Sequence, residues 1–154
     1  MFSSKQITDW ILNKVDVEAG DTISPLKLQK LLYYCQAWHL TVFNEKLINE
    51  DFEAWAHGPV LRSVYKRFAG FHFMNEPIDI ERQVIEVPNI SDDSLALLDE
   101  VYDIYGNKSA SYLEKLTHSE KPWIEARGGL QEFDRCTNII SNETIKQFYN
   151  QLKK

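Results

Sequence analysis

The sequence predicts a mainly α fold, a compact helical domain around a central buried helix at about residues 25–43, with a small β element. Three observations lead there. Ser24-Pro25 is an N-cap followed by its first helical position, and the residues after it keep helical spacing as far as Phe43. Several further stretches repeat that 3.6-residue periodicity between capping residues and glycines. Strand-like alternation is confined to 52–55 and 77–87.

The central helix is apolar on two sides. Leu28, Leu31, Leu32, Cys35, Trp38 and Val42 form one broad stripe, while Leu26, Tyr33, Ala37 and Leu40 form a second beside Gln29 and Gln36. A helix of that kind is packed on two sides, so the rest of the chain should gather around it.

Before it, Ser3 to Val17 reads as a first helix carrying Ile7, Trp10, Ile11, Leu12 and Val15, stopped by Gly20-Asp21. After it, Asn44 to Asp51 is a connection, and Phe52-Glu53-Ala54-Trp55 a short strand or extended arm. Gly58-Pro59 breaks the backbone, with Pro59 expected at the first position of a helix ending near Ala69-Gly70. Gly70 to Glu76 reads as a loop with exposed aromatics, and Pro77 to Val87 as one or two short strands. Ser91 is expected to cap a helix lined by Leu95, Leu98, Val101, Tyr102 and Tyr105 and stopped by Gly106. A short helix follows at Ser109–Leu116, and another starts at Ser119-Glu120-Lys121-Pro122-Trp123 and ends at Gly128-Gly129. Ser141 caps the last, with Ile145, Phe148, Tyr149 and Leu152 inward. There is no repeat, low-complexity tract or domain boundary, so residues 1–154 read as a single domain.

Composition narrows the function classes. The chain is 44% hydrophobic and 26% charged, and it lacks the run of roughly 20 apolar residues that a membrane span needs. The start, Met1-Phe2-Ser3-Ser4-Lys5, has no signal-peptide layout, and two cysteines make no disulfide framework, so a reducing cytoplasm is expected. A net charge of −6 argues against general affinity for nucleic-acid backbones. The carboxylates Glu76, Asp79, Glu81, Glu86, Asp92, Asp93, Asp99, Glu100 and Asp103 face only Arg82 within that span. Such a run is a solvated face, or a docking surface for a basic partner.

Catalytic and metal signatures are missing. His39, His57, His72 and His118 and the cysteines Cys35 and Cys136 lack metal-ligand spacing, so neither a metal nor another cofactor is expected. Cys35 and His39 are i, i+4 neighbours, a thiol and imidazole that could serve an enzyme, but they lie in the most apolar stripe of the chain. His57 at the Gly58-Pro59 turn is open to helix capping or to ligand binding. Arg62, Lys66 and Arg67 form the only basic cluster, a weak basis for a DNA-binding regulator.

Three blocks go further. Leu26 to His39, including Leu28-Gln29-Lys30-Leu31-Leu32-Tyr33-Tyr34 and Trp38, resembles the opening signature of the Panacea domain family, the SocA-like, phage-associated antitoxins. Phe52-Glu53-Ala54-Trp55-Ala56-His57-Gly58-Pro59-Val60 with Val64-Tyr65 resembles its "EAW-x-x-GPV…VY" block. Leu116-Thr117-His118 through Pro122-Trp123 resembles its "LTH…PW" block. The resemblance covers about residues 3–130, and departures are small: Cys35 stands where alanine is commoner, and Ala56-His57 where lysine and an aromatic residue are frequent. Relative to the family the chain reads as the bare domain.

The resemblance implies a non-enzymatic antitoxin that neutralises a cognate protein toxin by direct binding, and in one branch an adaptor that delivers the toxin to a AAA+ protease. Residues expected at a partner surface are Trp55, His57, Gly58, Pro59, Arg62, Tyr65 and Lys66. The motif residues Leu28, Gln29, Lys30, Leu31, Leu32, Tyr33, Tyr34, Trp38, Glu53, His118, Pro122 and Trp123 are expected at core or motif positions. The Leu28–Trp38 stripe should be core, and the strip of Gln29, Tyr33, Gln36 and Leu40 should receive the Trp55–Pro59 turn or a partner.

Overall fold

The computed structural model describes residues 1–70 and 74–153. The aromatics Phe71, His72 and Phe73 of the expected loop lie outside them. The described residues contain seven helices and one two-stranded sheet: α1 (Ser4–Lys14), α2 (Pro25–Phe43), β1 (Glu53–Trp55), β2 (Gly58–Val60), α3 (Arg62–Ala69), α4 (Asp92–Tyr105), α5 (Ala110–His118), α6 (Lys121–Arg127) and α7 (Asn142–Leu152).

Local chemistry explains the helix starts. At α1 the Ser3 hydroxyl accepts from the Gln6 amide while the Gln6 side chain accepts from the Ser3 amide, a reciprocal capping box. At α2 the Ser24 hydroxyl accepts from the Lys27 amide (3.2 Å) with Pro25 in the first turn, and Asn44 closes the helix in the left-handed region at φ 57°. Ser109 and Ser141 cap α5 and α7 in the same way.

The central helix is where the sequence places it, and α1, α3, α4, α5, α7 and the hairpin all pack on it. Leu28, Leu31, Leu32, Cys35, Tyr33 and Tyr34 are at most 1% exposed. Tyr34 stacks on Tyr105 at 4.1 Å, and Tyr149 of α7 meets Tyr34 edge-on. Full burial of each such side chain is worth about 1.5–3 kcal/mol, so α2 supplies a large part of the core.

Several expectations need correction. Helix α1 stops at Lys14 rather than Val17, because the Asp16 carboxylate accepts from the Ala19 amide and draws the chain into a turn. Pro59 does not begin a helix. It lies in β2, opposite Ala54, and α3 starts at Arg62. At that pair the Ala54 amide points out of the ladder to the Asn138 carbonyl (2.8 Å) and the Pro59 carbonyl points out to Lys30, so proline's missing N–H breaks no ladder bond.

Residues 77–87 form no strand. Ile78 and a 3₁₀ turn at Ile80–Arg82 belong to a strap fastened through the Ile23 carbonyl and the Asp9 carboxylate, with Val84 74% exposed. Its alternating pattern meets no free sheet edge. Ser91 holds the N-cap position of α4 without a side-chain capping bond. Ser119 instead closes α5, its hydroxyl donating to the Leu116 carbonyl, and Glu120 precedes α6. Leu152 and Val42, expected inward, are 54% and 43% exposed.

Candidate functional site

Two glutamines of α2 fasten the β1–β2 region to the central helix. The Gln29 side chain donates to the Leu61 carbonyl (3.1 Å) and accepts from the Leu61 amide (2.9 Å). Two turns later the Gln36 side chain accepts from the amides of Leu47 and Ile48 (2.9 and 2.8 Å) and donates to the Ile48 carbonyl (3.1 Å). Both side chains are 1% exposed, and each satisfies buried backbone groups that no sheet partner reaches.

Between them lies Lys30, which is fully buried. Its ammonium donates to the Pro59 carbonyl (3.3 Å). Burial pulls its pKa down to about 7, with the Glu114 carboxylate opposing the shift. Gly58 lies over it at φ +109°, where a Cβ would meet Lys30 Cε at 2.6 Å and the Thr117 hydroxyl at 3.0 Å. The first block's lysine, the second block's glycine and proline and the third block's threonine therefore form one interlock.

Helix α6 holds the outer edge of the hairpin. Trp123 donates its indole N–H to the Trp55 carbonyl (2.9 Å), and Arg127 donates to the Ala54 carbonyl (3.0 Å). The Trp123 ring lies between His118, stacked at 4.0 Å, and the Arg127 guanidinium at 4.8 Å. Burial lowers the His118 pKa against the opposing pull of Glu114 and Glu132. Beneath them one oxygen of the buried Glu120 carboxylate accepts from the Tyr34 and Tyr149 hydroxyls (2.8 and 2.7 Å). Burial raises its pKa despite those two bonds. Pro122 is buried beside Trp123.

Above this support, the structure gathers most of the expected surface residues. Trp55 and Tyr65 meet edge-to-face at 5.0 Å, and the Arg62 guanidinium sits 5.6 Å from the Trp55 ring. Arg62 also forks onto Glu53 with bonds of 3.0 and 2.7 Å, and Trp55 Nε1 donates to the same carboxylate. Burial would raise the Glu53 pKa, but these bonds and the nearby positive charge hold it below its usual value. His57, at the hairpin turn, pairs with Glu114 (2.8 Å), and Lys66 is exposed one turn along α3 from Arg62. Gly58 and Pro59 do not join this surface. Both are buried in the interlock beneath it.

The remaining candidates are apart. Burial pushes the Cys35 thiol up to about 12, against the requirement for a thiolate nucleophile. The two nitrogens of His39 are engaged by the Glu45 carbonyl and the Ser94 hydroxyl, not by Cys35. Of the basic cluster, Arg62 is committed to Glu53 and Arg67 to the buried Asp9 (2.9 Å), which weakens it as a nucleic-acid patch. Among the described residues no group of histidines, cysteines and carboxylates is placed to hold a metal ion, and no helix is long and apolar enough to cross a membrane. Sequence reasoning missed Arg127 and Glu120 as supports of the hairpin and aromatic core, because nothing local marks an arginine or glutamate destined for burial. Gln36, expected to receive the Trp55–Pro59 turn or a partner, instead bonds the backbone of Leu47 and Ile48.

The family described as "Antitoxin SocA-like, Panacea domain" matches residues 28–124, which contain the interlock and the surface above it. The curated protein "Antitoxin SocA" of Caulobacter vibrioides (strain NA1000 / CB15N) is 34% identical over 109 residues, covering 66% of this chain and 58% of that protein. The chain thus spans less than two thirds of that relative's length. No solved structure matches it. With the family match spanning residues 28–124, more than half of the chain, the protein belongs to the family described as antitoxin SocA-like, Panacea domain.

Proposed function

We propose that the protein is the antitoxin of a toxin–antitoxin pair carried on a phage or other mobile element, and that it neutralises a cognate protein toxin by direct contact in the cytoplasm. The observation that carries this reading is the cluster of Trp55 on the hairpin with Arg62 and Tyr65 of α3, above a hairpin fixed from beneath by buried hydrogen bonds. Tryptophan, tyrosine and arginine dominate the energetics of protein interfaces, and side chains already held in place lose little entropy on binding. Two free, buried cysteines support a reducing compartment.

The test is co-expression with the product of the adjacent gene. That product alone should arrest growth, the pair should restore it, and the purified proteins should bind. Trp55→Ala and Tyr65→Ala should each weaken binding by about tenfold or more while the fold persists. Rescue by both variants at wild-type affinity would remove the hairpin from the interface, and a harmless neighbour would defeat the antitoxin reading. Delivery to a AAA+ protease extends the same reading. It requires the toxin's half-life to shorten when the antitoxin is present, whereas simple sequestration lengthens it or leaves it unchanged.

A further inference from the structure

A cavity of about 420 Å³ lies where α2 begins and α4 ends, and it shares no lining residue with the hairpin. Its size is that of sites for small organic molecules. Val15, Ile23 and Leu31, each at most 9% exposed, supply an aliphatic lining. Asp21, Lys27, Tyr102 and Asp103 supply polar and charged groups beside it.

Among the described residues Lys27 is the one cation on this lining, and it is already engaged. Its ammonium donates to the Gly106 carbonyl at 2.6 Å, and the Asp21 charge opposes the lowering of its pKa by burial. Asp103 has no such attendant, since no ion pair or hydrogen bond within the described residues reaches its carboxylate. The nearby cations are committed elsewhere, Lys14 to Asp99 and Lys108 over the Tyr112 ring. Helix α4 also brings its negative dipole end to the cavity, with no basic residue in its own last turn. An aliphatic space thus adjoins one carboxylate and one helix end that lack a counter-charge.

We propose that this cavity binds a small organic cation, a primary alkylamine whose ammonium meets Asp103 at the end of α4 and whose hydrocarbon body lies against Val15, Ile23 and Leu31. One added positive charge balances the lining, where two carboxylates stand against a single lysine. An anion of the same shape would meet both carboxylates, and a neutral isostere would leave Asp103 as it is. Burial and the Asp21 charge raise the Tyr102 pKa, so its ring stays neutral and offers the cation an aromatic wall. The site involves neither the hairpin nor a toxin, so it stands or falls apart from the antitoxin reading.

The experiment titrates the full chain with isoamylamine, following backbone amide resonances by NMR, with isoamyl alcohol and isovalerate as the neutral and anionic isosteres. The amine should shift resonances of 21–31 and 102–107 saturably, at one molecule per chain. The alcohol and the acid should bind at least about tenfold more weakly, the cost of losing a hydrogen bond to a charged group. Asp103→Asn should weaken amine binding by a similar factor. Asp103 is exposed, so the variant should keep the wild-type denaturant midpoint, which separates loss of the site from loss of the fold. Absence of a saturable shift, equal binding of the alcohol, amine binding undiminished in Asp103→Asn, or shifts spread over the other acidic surfaces would each overturn the proposal.

Discussion

Toward the hairpin, α2 presents Gln29, Lys30, Tyr33 and Gln36, each no more than 1% exposed, and the first two and the last bond backbone groups of the 47–61 segment. Toward α4 the same helix presents Trp38, whose indole N–H donates to the Tyr105 hydroxyl (3.0 Å), and Val42, 43% exposed, in a largely apolar trough. The first face is polar and closed, the second apolar and open. Buried amides on fixed backbone targets accept one geometry only, because any displacement strands donors and acceptors away from water. An apolar trough accepts any side chains of suitable shape. One helix thus fixes a surface on one side and leaves room on the other.

The largest effect should come from opening the closed face. Gln36→Ala strands the Leu47 and Ile48 amides and the Ile48 carbonyl, at about 1–3 kcal/mol for each buried group left unpaired. A loss of about 4 kcal/mol in denaturant unfolding is expected. A loss below about 1 kcal/mol would mean that water reaches the face and that it is not closed.

Next in size is the pair Glu120→Ala and Glu120→Gln. The alanine removes the acceptor shared by the Tyr34 and Tyr149 hydroxyls, leaving Tyr149 only a long 3.5 Å bond to Tyr33, and should cost about 2–4 kcal/mol. The glutamine keeps an acceptor oxygen without a buried charge, and its thermal midpoint should stay close to the wild type or above it.

A third test is stability against pH. The folded pKa of Lys30, about 7, lies below its ordinary value of 10.5, so between those limits the unfolded chain holds the extra proton and stability rises with pH. Tyr33 and Tyr34 are shifted upward by burial, so their opposing contribution begins near pH 10. Unfolding free energies between pH 7 and 9 should climb in the wild type and flatten in Lys30→Met. An unchanged slope in the variant would assign the pH dependence to other groups.

The smallest effect belongs to the open face. Val42→Glu should shift stability by no more than about 0.5 kcal/mol, as surface substitutions do. A loss above about 2 kcal/mol would show the trough to be ordinary core.

Legibility in the sequence followed the range of the interactions. The span of α2, the caps at Ser24, Ser109 and Ser141 and the strand at 53–55 were readable, because periodicity and capping are decided within a few residues. Pro59 was misplaced because a proline after glycine fits a helix start equally well. Only the outward-pointing pair with Ala54 makes it a strand residue. The strap at 77–87 has strand-like alternation, but whether a strand forms depends on a partner edge elsewhere in the chain. Residue types singled out Trp55, Arg62 and Tyr65, and the structure places the three side chains together. The supports, Lys30 under Gly58 and Arg127 on Ala54, bridge 28 and 73 positions and left no local trace.

The contact between Gly58 and Lys30 also limits how such domains can be recombined. The glycine leaves the space that the lysine stem fills, and its φ of +109° shapes the turn that presents His57. A hairpin transplanted into a relative whose buried lysine is placed differently would arrive either propped on nothing or blocked from seating. Chimeras meant to exchange partner preference should therefore move residues 53–60 together with the helix turn around Lys30, as a single cassette drawn from two distant stretches of the gene.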